Sequence, residues 1–356
     1  MKRDWKRDYE LELNRVARKL GLRRADNVED MIIEHCLARL RGWVAVHGTP
    51  ETLTELANGF AASLDLLITE VRTEADIDAV LEQITPAQKA VIGDLKTEFR
   101  GDTDAIIVRR LDPKLWGRTY WAIINCQDWH AYRRYFTTWH EIVHLLLEGQ
   151  QPTFAFRRTM EKLSEPTEVL VDRVAAALAF YPDMFEPVVR EEYTREGRLT
   201  FDVVDRVRER IAPDASREAT TSACLRHIPS PVWFVQCHMG LSASETRRLN
   251  SPQMSIFPME APEAKLRVLK ASSSPSARDL EIRFHPNMRV PEFSIVTLGF
   301  HDVRGETRQG TEALDAWETS SGGPIGSGEI YVEARRSGDA EVWAIASLNV
   351  DGSQSQ

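Results

Sequence analysis

The chain is short of cysteine, has no long apolar run and carries no excess of positive charge. Its four cysteines, at positions 36, 126, 224 and 237 of 356 residues, include no CxxC pair. So few thiols do not make a disulfide scaffold, and they point to free cysteines in a reducing compartment. The longest apolar stretches, such as 174–181, fall far short of the roughly 18–20 residues a helix needs to cross a bilayer, so no membrane partner is expected. The opening MKRDWKRDYELEL carries both charge signs and no apolar segment of a secretory signal. Together these features lead us to expect a cytoplasmic protein. Lys and Arg total 45 against 54 Asp and Glu, a formal net charge of −9. That excludes a surface basic all round, as a nucleic-acid wrapper would need, and leaves room for a local basic patch.

What is present is the composition of a folding chain. Hydrophobic residues make up 42% and charged residues 28%, ordinary values for a chain with a core. At about 150 residues per domain the length predicts two domains. Charge is uneven: residues 1–50 are net +3, 51–250 net −7 and 251–356 net −5.

Apolar residues at helical spacing predict two helices in the first 45 residues, punctuated by Gly21 and Asn27. A third is expected to open at Thr49-Pro50, with Thr as its cap. LLITEV (66–71) reads as a strand, and 85–88 as the start of a helix ending near Gly101. AIIVRR (105–110) and TYWAIINC (119–126) read as strands. Helical spacing returns over 134–149 and from about Pro166 to Phe180, where Pro182 is expected to stop the helix. Residues 200–211 and 216–226 read as two short helices, a hairpin or helix-turn-helix-like linker. From about Pro229 the segments VWFVQC, KLRVLKA, DLEIRF, FSIVTLGF, EIYVEA and EVWAIASL read as strands between Gly, Ser, Pro and Asp clusters. The divisions expected are 1–48 (helical extension), 49–199 (mixed helical and strand domain), 200–228 (linker) and 229–356 (β-rich α/β domain). The fold class is therefore α+β.

The chemistry lies in His140-Glu141-Ile142-Val143-His144, an HExxH. On a helix the two histidines, four apart, share a face and can converge on one metal ion. A catalytic zinc takes three protein ligands and keeps one position open. Glu168 on the next helical stretch supplies the third, with Asp172 one turn on, placed to hold a histidine ring by its far nitrogen. Ala175, Ala176 and Ala179 continue that face and let two helices approach. Glu148, Glu161 and Glu165 compete for the third position. Glu141, beside the first ligand, is placed to take the proton of an attacking water and pass it to a leaving amine. Oxyanion donors are open among Tyr135, His130, Arg173 and Tyr181. Cys126, at the end of the strand before the HExxH helix, is a candidate inhibitory zinc ligand, against the plainer reading of a packed thiol. Cys224 with His227 and Cys237 with His238 have poor spacing for a second metal site. His35, His47, His285 and His301 are isolated, and the nine tryptophans are scattered core material.

The segments RRYFTTWHEIVHLLLEG and EVLVDRVAAALAFYP resemble the ImmA/IrrE family of metallopeptidases. Arg134 and Phe136-Thr137 match that family's lead into HExxH, and Glu168, Asp172, Ala175–Ala177 and Pro182 match its second helix. Phe180-Tyr181 stands where Leu-Met is usual. The matching motifs cover 134–182, with weaker likeness from about 50 to 226. The resemblance implies a zincin-like, mainly helical peptidase domain with a small β-sheet, followed by a GAF-like sensor domain. It implies a zinc endopeptidase that cleaves a helix-turn-helix repressor in a DNA-damage, mobile-element or phage-defence response, with single-stranded DNA as a candidate activator. Arg109, Arg110, Lys114, Arg118, Arg133, Arg134, Arg157 and Arg158 flank the motif and would supply a basic surface for it. Two other readings stand beside this one: a general peptidase or aminopeptidase, and a sensor or scaffold whose zinc is structural.

Overall fold

The structure is a computed structural model that describes residues 5–23, 26–84, 94–109, 118–148, 155–159, 165–249, 262–319 and 322–348, with backbone alone for 148, 155–159, 243 and 248. The fold is mixed α+β with two small sheets. The chain divides into two units, residues 1–185 with 208–216, and residues 186–207 with 217–356.

The first unit opens with α1 (Trp5–Lys19) and α2 (Val28–His47). Gly21 takes a positive φ after α1, and the Asn27 side chain caps α2 by accepting from the Asp30 amide. Helix α3 (Leu53–Ser63) starts later than expected, because the capping hydroxyl is Thr52, which accepts from the Glu55 amide, and not Thr49. After β1 (Leu66–Val71) comes α4 (Glu74–Gln83), which the sequence reading did not anticipate. Thr73 and Asp76 close its capping box. Helix α5 (Leu95–Arg100) is capped by Asp94 and ends at Gly101 as expected; its expected start at 85–88 lies outside the described residues.

Strands β2 (Thr103–Arg109), β3 (Tyr120–Asn125) and β4 (Ala155–Thr159) join β1 in the order β1-β3-β2-β4. β1 runs parallel to β3, and the other pairs are antiparallel. β2 and β3 are buried on both faces, which their unbroken apolar runs require. Ile106, Val108, Trp121 and Ile123 pack with Ile77, Val80, Leu95 and Phe99 of α4 and α5. Helix α6 (Arg134–Glu148) packs against β2, β3 and α3, and α7 (Pro166–Ala179) packs against α6, α1 and α2. A 3-10 turn (Asp128–Arg133) leads into α6. Pro182 does follow α7, but it also begins α8 (Pro182–Glu196), as proline suits a first helical turn.

The second unit holds the sheet β6-β5-β9-β8-β7, antiparallel throughout: β5 (Val232–Gly240), β6 (Lys265–Ser273), β7 (Arg308–Ala313), β8 (Glu329–Arg336) and β9 (Glu341–Leu348). Helices α9 (Phe201–Ile211) and α10 (Arg217–Leu225) fall where the sequence placed them. The short helices α11 (Ala243–Leu249), α12 (Pro275–Arg278) and α13 (Ile295–His301) interrupt the strands. Two expected strands are not strands. FSIVTLGF becomes α13, because Ser294 caps it and Glu312 accepts from the Ile295 amide at 2.9 Å. Gly299 lets α13 lie on β8, since a Cβ there would stand 2.8 Å from the Ala334 Cβ. DLEIRF becomes a turn wound round Arg283, whose guanidinium donates to the carbonyls of Arg278 (2.7 Å) and Ile282 (2.9 Å). One apolar face of the sheet packs Trp233, Val268, Val332 and Ala344 with Phe284, Val296 and Trp317.

On β8, Glu333 is only 4% exposed and accepts from the Phe201 amide at 2.8 Å. Burial pushes its carboxyl up to about 7, with nearby Asp202 adding to the rise, while the Phe201 hydrogen bond and Arg335 oppose it. A raised carboxyl pKa makes folding stability highest below about 4.5, the unfolded value, and lowers it as pH rises through about 7. Glu333→Gln keeps an acceptor for Phe201 and removes the titration. We expect the urea midpoint of the wild-type chain to fall relative to Glu333→Gln across this window, by at most about 3 kcal/mol in stability. Parallel pH profiles for the two proteins would show that Glu333 does not titrate there.

Candidate metal centre

Helix α6 is buried from Thr137 to Leu147, and its two histidines with it. His140 is 0% and His144 1% exposed. Their Nε2 atoms approach to 3.0 Å. Glu168, 6% exposed on the facing helix α7, brings Oε2 to 3.1 Å from His140 Nε2 and Oε1 to 3.7 Å from His144 Nε2. The three side chains place one donor atom each within 4.8 Å of one another, and among the described residues no other group of His, Cys, Asp or Glu does so.

Helix spacing and helix packing produce this convergence. Positions 140 and 144 are one turn apart on α6, and α7 starts at Pro166, which puts Glu168 in its first turn. Ala175 and Ala179 are fully buried on α7, and residues this small allow the two helices to pack closely. Asp172, one turn beyond Glu168, accepts from His140 Nδ1 at 2.8 Å. That bond keeps a proton on Nδ1 and orients the ring, with Nε2 aimed at Glu168 and His144, where a metal ion would take the place of an Nε2 proton. Burial alone would push the Glu168 carboxyl up. The hydrogen bonds and charges of His140 and His144 outweigh burial and hold it well below the usual carboxylate range. The centre therefore keeps an ionised carboxylate and two imidazole nitrogens, the donor set that suits zinc among common protein metals. Donors about 3 Å apart are also what one small ion shared at about 2.0–2.1 Å per ligand requires. Glu141, 1% exposed, sits beside His140 on the same helix.

The remaining expected residues lie as follows. Of the competing third ligands, Glu165 is exposed at the N-cap of α7, while Glu161 and the Glu148 side chain fall outside the described residues. Cys126 packs with Ile68, Ala105 and Ile124, and burial together with the Glu70 charge pushes its thiol up to about 11. It is not one of the three clustered donors. Each candidate oxyanion donor is engaged elsewhere. The Tyr135 hydroxyl donates to the Ala179 carbonyl, and Tyr181 donates to Asp183 at 2.7 Å. Arg173 pairs with Glu29 and lies 5.2 Å from the Tyr9 ring. His130 binds Asp104 through Nδ1 at 2.8 Å. Cys224 and Cys237 are buried free thiols.

Asp104 escaped the sequence reading. It is a single aspartate at the head of an apolar strand, and nothing local marks the His130 and Arg133 that it holds from 26 and 29 residues away. Several basic residues flanking the motif are spent in the same way. Arg133 pairs with Asp104, Arg134 with Glu70 and Asp214, and Arg118 donates to the Ala62 carbonyl. Arg110 and Lys114 fall outside the described residues, as do the side chains of Arg157 and Arg158.

The purified chain should bind one zinc ion per molecule, read by elemental analysis after dialysis. His144→Ala and Glu168→Gln should each reduce the content towards zero. Asp172→Asn should keep the three donors but weaken zinc binding by about 10–100-fold, measured by competition with a chromophoric chelator. Unchanged affinity in Asp172→Asn would mean that the His140 tautomer is set by something else. No protein-family model matches this chain, and no curated protein matches it.

Proposed function

We propose that the protein is a zinc-dependent endopeptidase with a zincin-like first unit, akin to the ImmA/IrrE metallopeptidases, acting in the cytoplasm on a helix-turn-helix repressor. The observation that carries the hydrolase reading is Glu141. A purely structural zinc site has no use for a carboxylate next to its first ligand, buried on the helix that bears both histidines.

His140, His144 and Glu168 would hold the metal. Bound there, zinc would supply a Lewis acid that polarises a peptide carbonyl and makes water acidic enough to lose a proton near neutral pH. The chain's own residues do the rest. Asp172 keeps His140 Nδ1 protonated and its ring fixed. Glu141 takes a proton from the attacking water at its carboxylate and returns it to the nitrogen of the departing amine. Trp139, Ile142, Val143 and Leu146, all buried, exclude bulk water from the rest of the helix and keep these charges strong. In this proposal the β-rich second unit is a GAF-like sensor that governs when the peptidase acts, in a DNA-damage or phage-defence response.

The decisive variant is Glu141→Gln, which keeps the shape of the side chain and removes its basicity. It should bind zinc as the wild type does and lose at least about 10²-fold in cleavage of a helix-turn-helix repressor protein offered as substrate, followed on gels. Cleavage that survives in Glu141→Gln would end the hydrolase reading. Retained zinc with no cleavage by the wild type of that protein or of random peptides would favour a structural metal.

A further inference from the structure

The second unit contains a cavity of about 400 Å³ lined mainly by polar and charged side chains. Three arginines face it: Arg247 of α11, Arg267 of β6 and Arg289. Three hydroxyls join them, from Ser242, Ser244 and Thr319, with Asn287 and Glu318 as the acceptors and Met288 as a buried apolar wall.

The arginines are held in two different ways. Arg267 is buried and fully engaged: Nε donates to the Gly240 carbonyl at 3.3 Å, Nη1 to the Asn287 carbonyl at 3.1 Å and Nη2 to Glu245 at 3.0 Å. It anchors the wall. Arg289 pairs with Arg267 across an antiparallel bridge, so the two side chains leave the same face. Like charges directly opposite one another are destabilising in a sheet. Glu245 answers only Arg267, and the exposed Arg289 guanidinium has no partner among the described residues. Asn287, two residues before it, takes a left-handed φ of 68°, a conformation that places its carbonyl on Arg267. Backbone held in this region for a residue other than glycine is commonly found at ligand sites.

A like-charge pair facing a cavity of ligand size calls for an anion. A phosphate group suits it best, because its three oxygens accept forked guanidinium bonds and hydroxyl donors together. Glu318 and the Asn287 amide oxygen then need donors, which a bare anion does not offer. We propose that this cavity binds a phosphate monoester on a hydroxylated skeleton, a sugar phosphate or nucleotide, with Arg289 on the phosphate and Glu318 on the hydroxyls. The proposal does not depend on the metal centre or on peptide hydrolysis.

Isothermal titration of the full-length chain with ribose 5-phosphate, adenosine 5′-monophosphate and inorganic phosphate tests it. At least one ester should bind on the order of tenfold or more tightly than inorganic phosphate. Arg289→Gln should weaken that ester by at least about tenfold, the loss of one charged bidentate contact. Glu318→Gln should weaken the ester without weakening inorganic phosphate. Arg289 and Glu318 are both exposed, so these variants should fold, and an unchanged thermal midpoint verifies it. Preference for adenosine 5′-monophosphate over ribose 5-phosphate assigns the site to nucleotides, and equal binding assigns it to sugar phosphates. No binding of either ester, equal binding of ester and inorganic phosphate, or an Arg289→Gln variant that binds as the wild type does would each overturn the proposal.

Discussion

The structure of the first unit turns on the cost of burying ionisable groups. Two imidazoles and two carboxylates sit in or beside the contact between α6 and α7, with His140, Glu141, His144 and Glu168 all nearly inaccessible to water. A buried ion without compensation costs several kcal/mol, enough to consume much of a domain's stability. Compensation here comes from geometry. Glu168 stays ionised because His140 and His144 face it, and the His140 ring keeps its orientation because Asp172 holds its other nitrogen. Each of these contacts needs the two helices at close range, which the buried Ala175 and Ala179 permit. The cluster and the helix packing therefore impose the same requirement. A polar group this buried is maintained against a stability cost, and a bound cation lowers that cost for every member at once.

The same physics explains which parts could be read from the sequence. The His140/His144 pair and the Glu168/Asp172 pair were legible because the chemistry constrains spacing on each helix, and helix spacing is local. The paired strands β2 and β3 were legible because both faces are covered and the apolar run is unbroken. FSIVTLGF looked like a strand for a sound reason, since Ile295-Val296-Thr297 is a β-branched run. Its helical state rests on Glu312, which lies on β7 and accepts from Ser294, the Ile295 amide and the Trp317 indole. No local pattern shows a carboxylate arriving from 17 residues away. DLEIRF failed similarly, because one guanidinium collects the carbonyls that a strand would have given to a neighbour. Helix α4 went unseen because it lies in a charged stretch of weak apolar period, and only its start carries a marker, the Thr73–Asp76 capping box.

The second unit uses buried charge differently. Glu333 and Arg335 both project from β8. Glu333 holds the Phe201 amide, and Arg335 pairs with Asp205 at 3.1 Å while its guanidinium lies 5.1 Å from the Phe201 ring. These contacts tie residues 201–205 to the sheet through polar atoms as well as packing. Arg267 plays a matching part elsewhere on the sheet, joining Gly240, Glu245 and Asn287. Such arginines look in a sequence like ordinary surface charge. Their role appears only when burial and donor geometry are known, because a guanidinium's five donors in a fixed fork let one side chain satisfy several backbone carbonyls.

That distinction bears on how the basic residues around the motif should be weighed. A cluster of arginines in sequence suggests a field that attracts phosphate backbones, and net charge alone does not argue against it. A field, however, is a sum over neighbours. Arg133 faces Asp104, and Arg134 lies between Glu70 and Asp214. Each guanidinium engaged by a carboxylate within about 3–4 Å contributes little beyond one Debye length of about 8 Å at physiological salt. The arginines that lead into α6 thus act chiefly as internal ties that fix where the HExxH helix begins. Any nucleic acid that acts on this protein must draw its electrostatic attraction from other residues, or must break these pairs. Breaking them would loosen the entry of the helix that carries His140 and His144, so binding and the metal centre would be energetically coupled through Arg133 and Arg134.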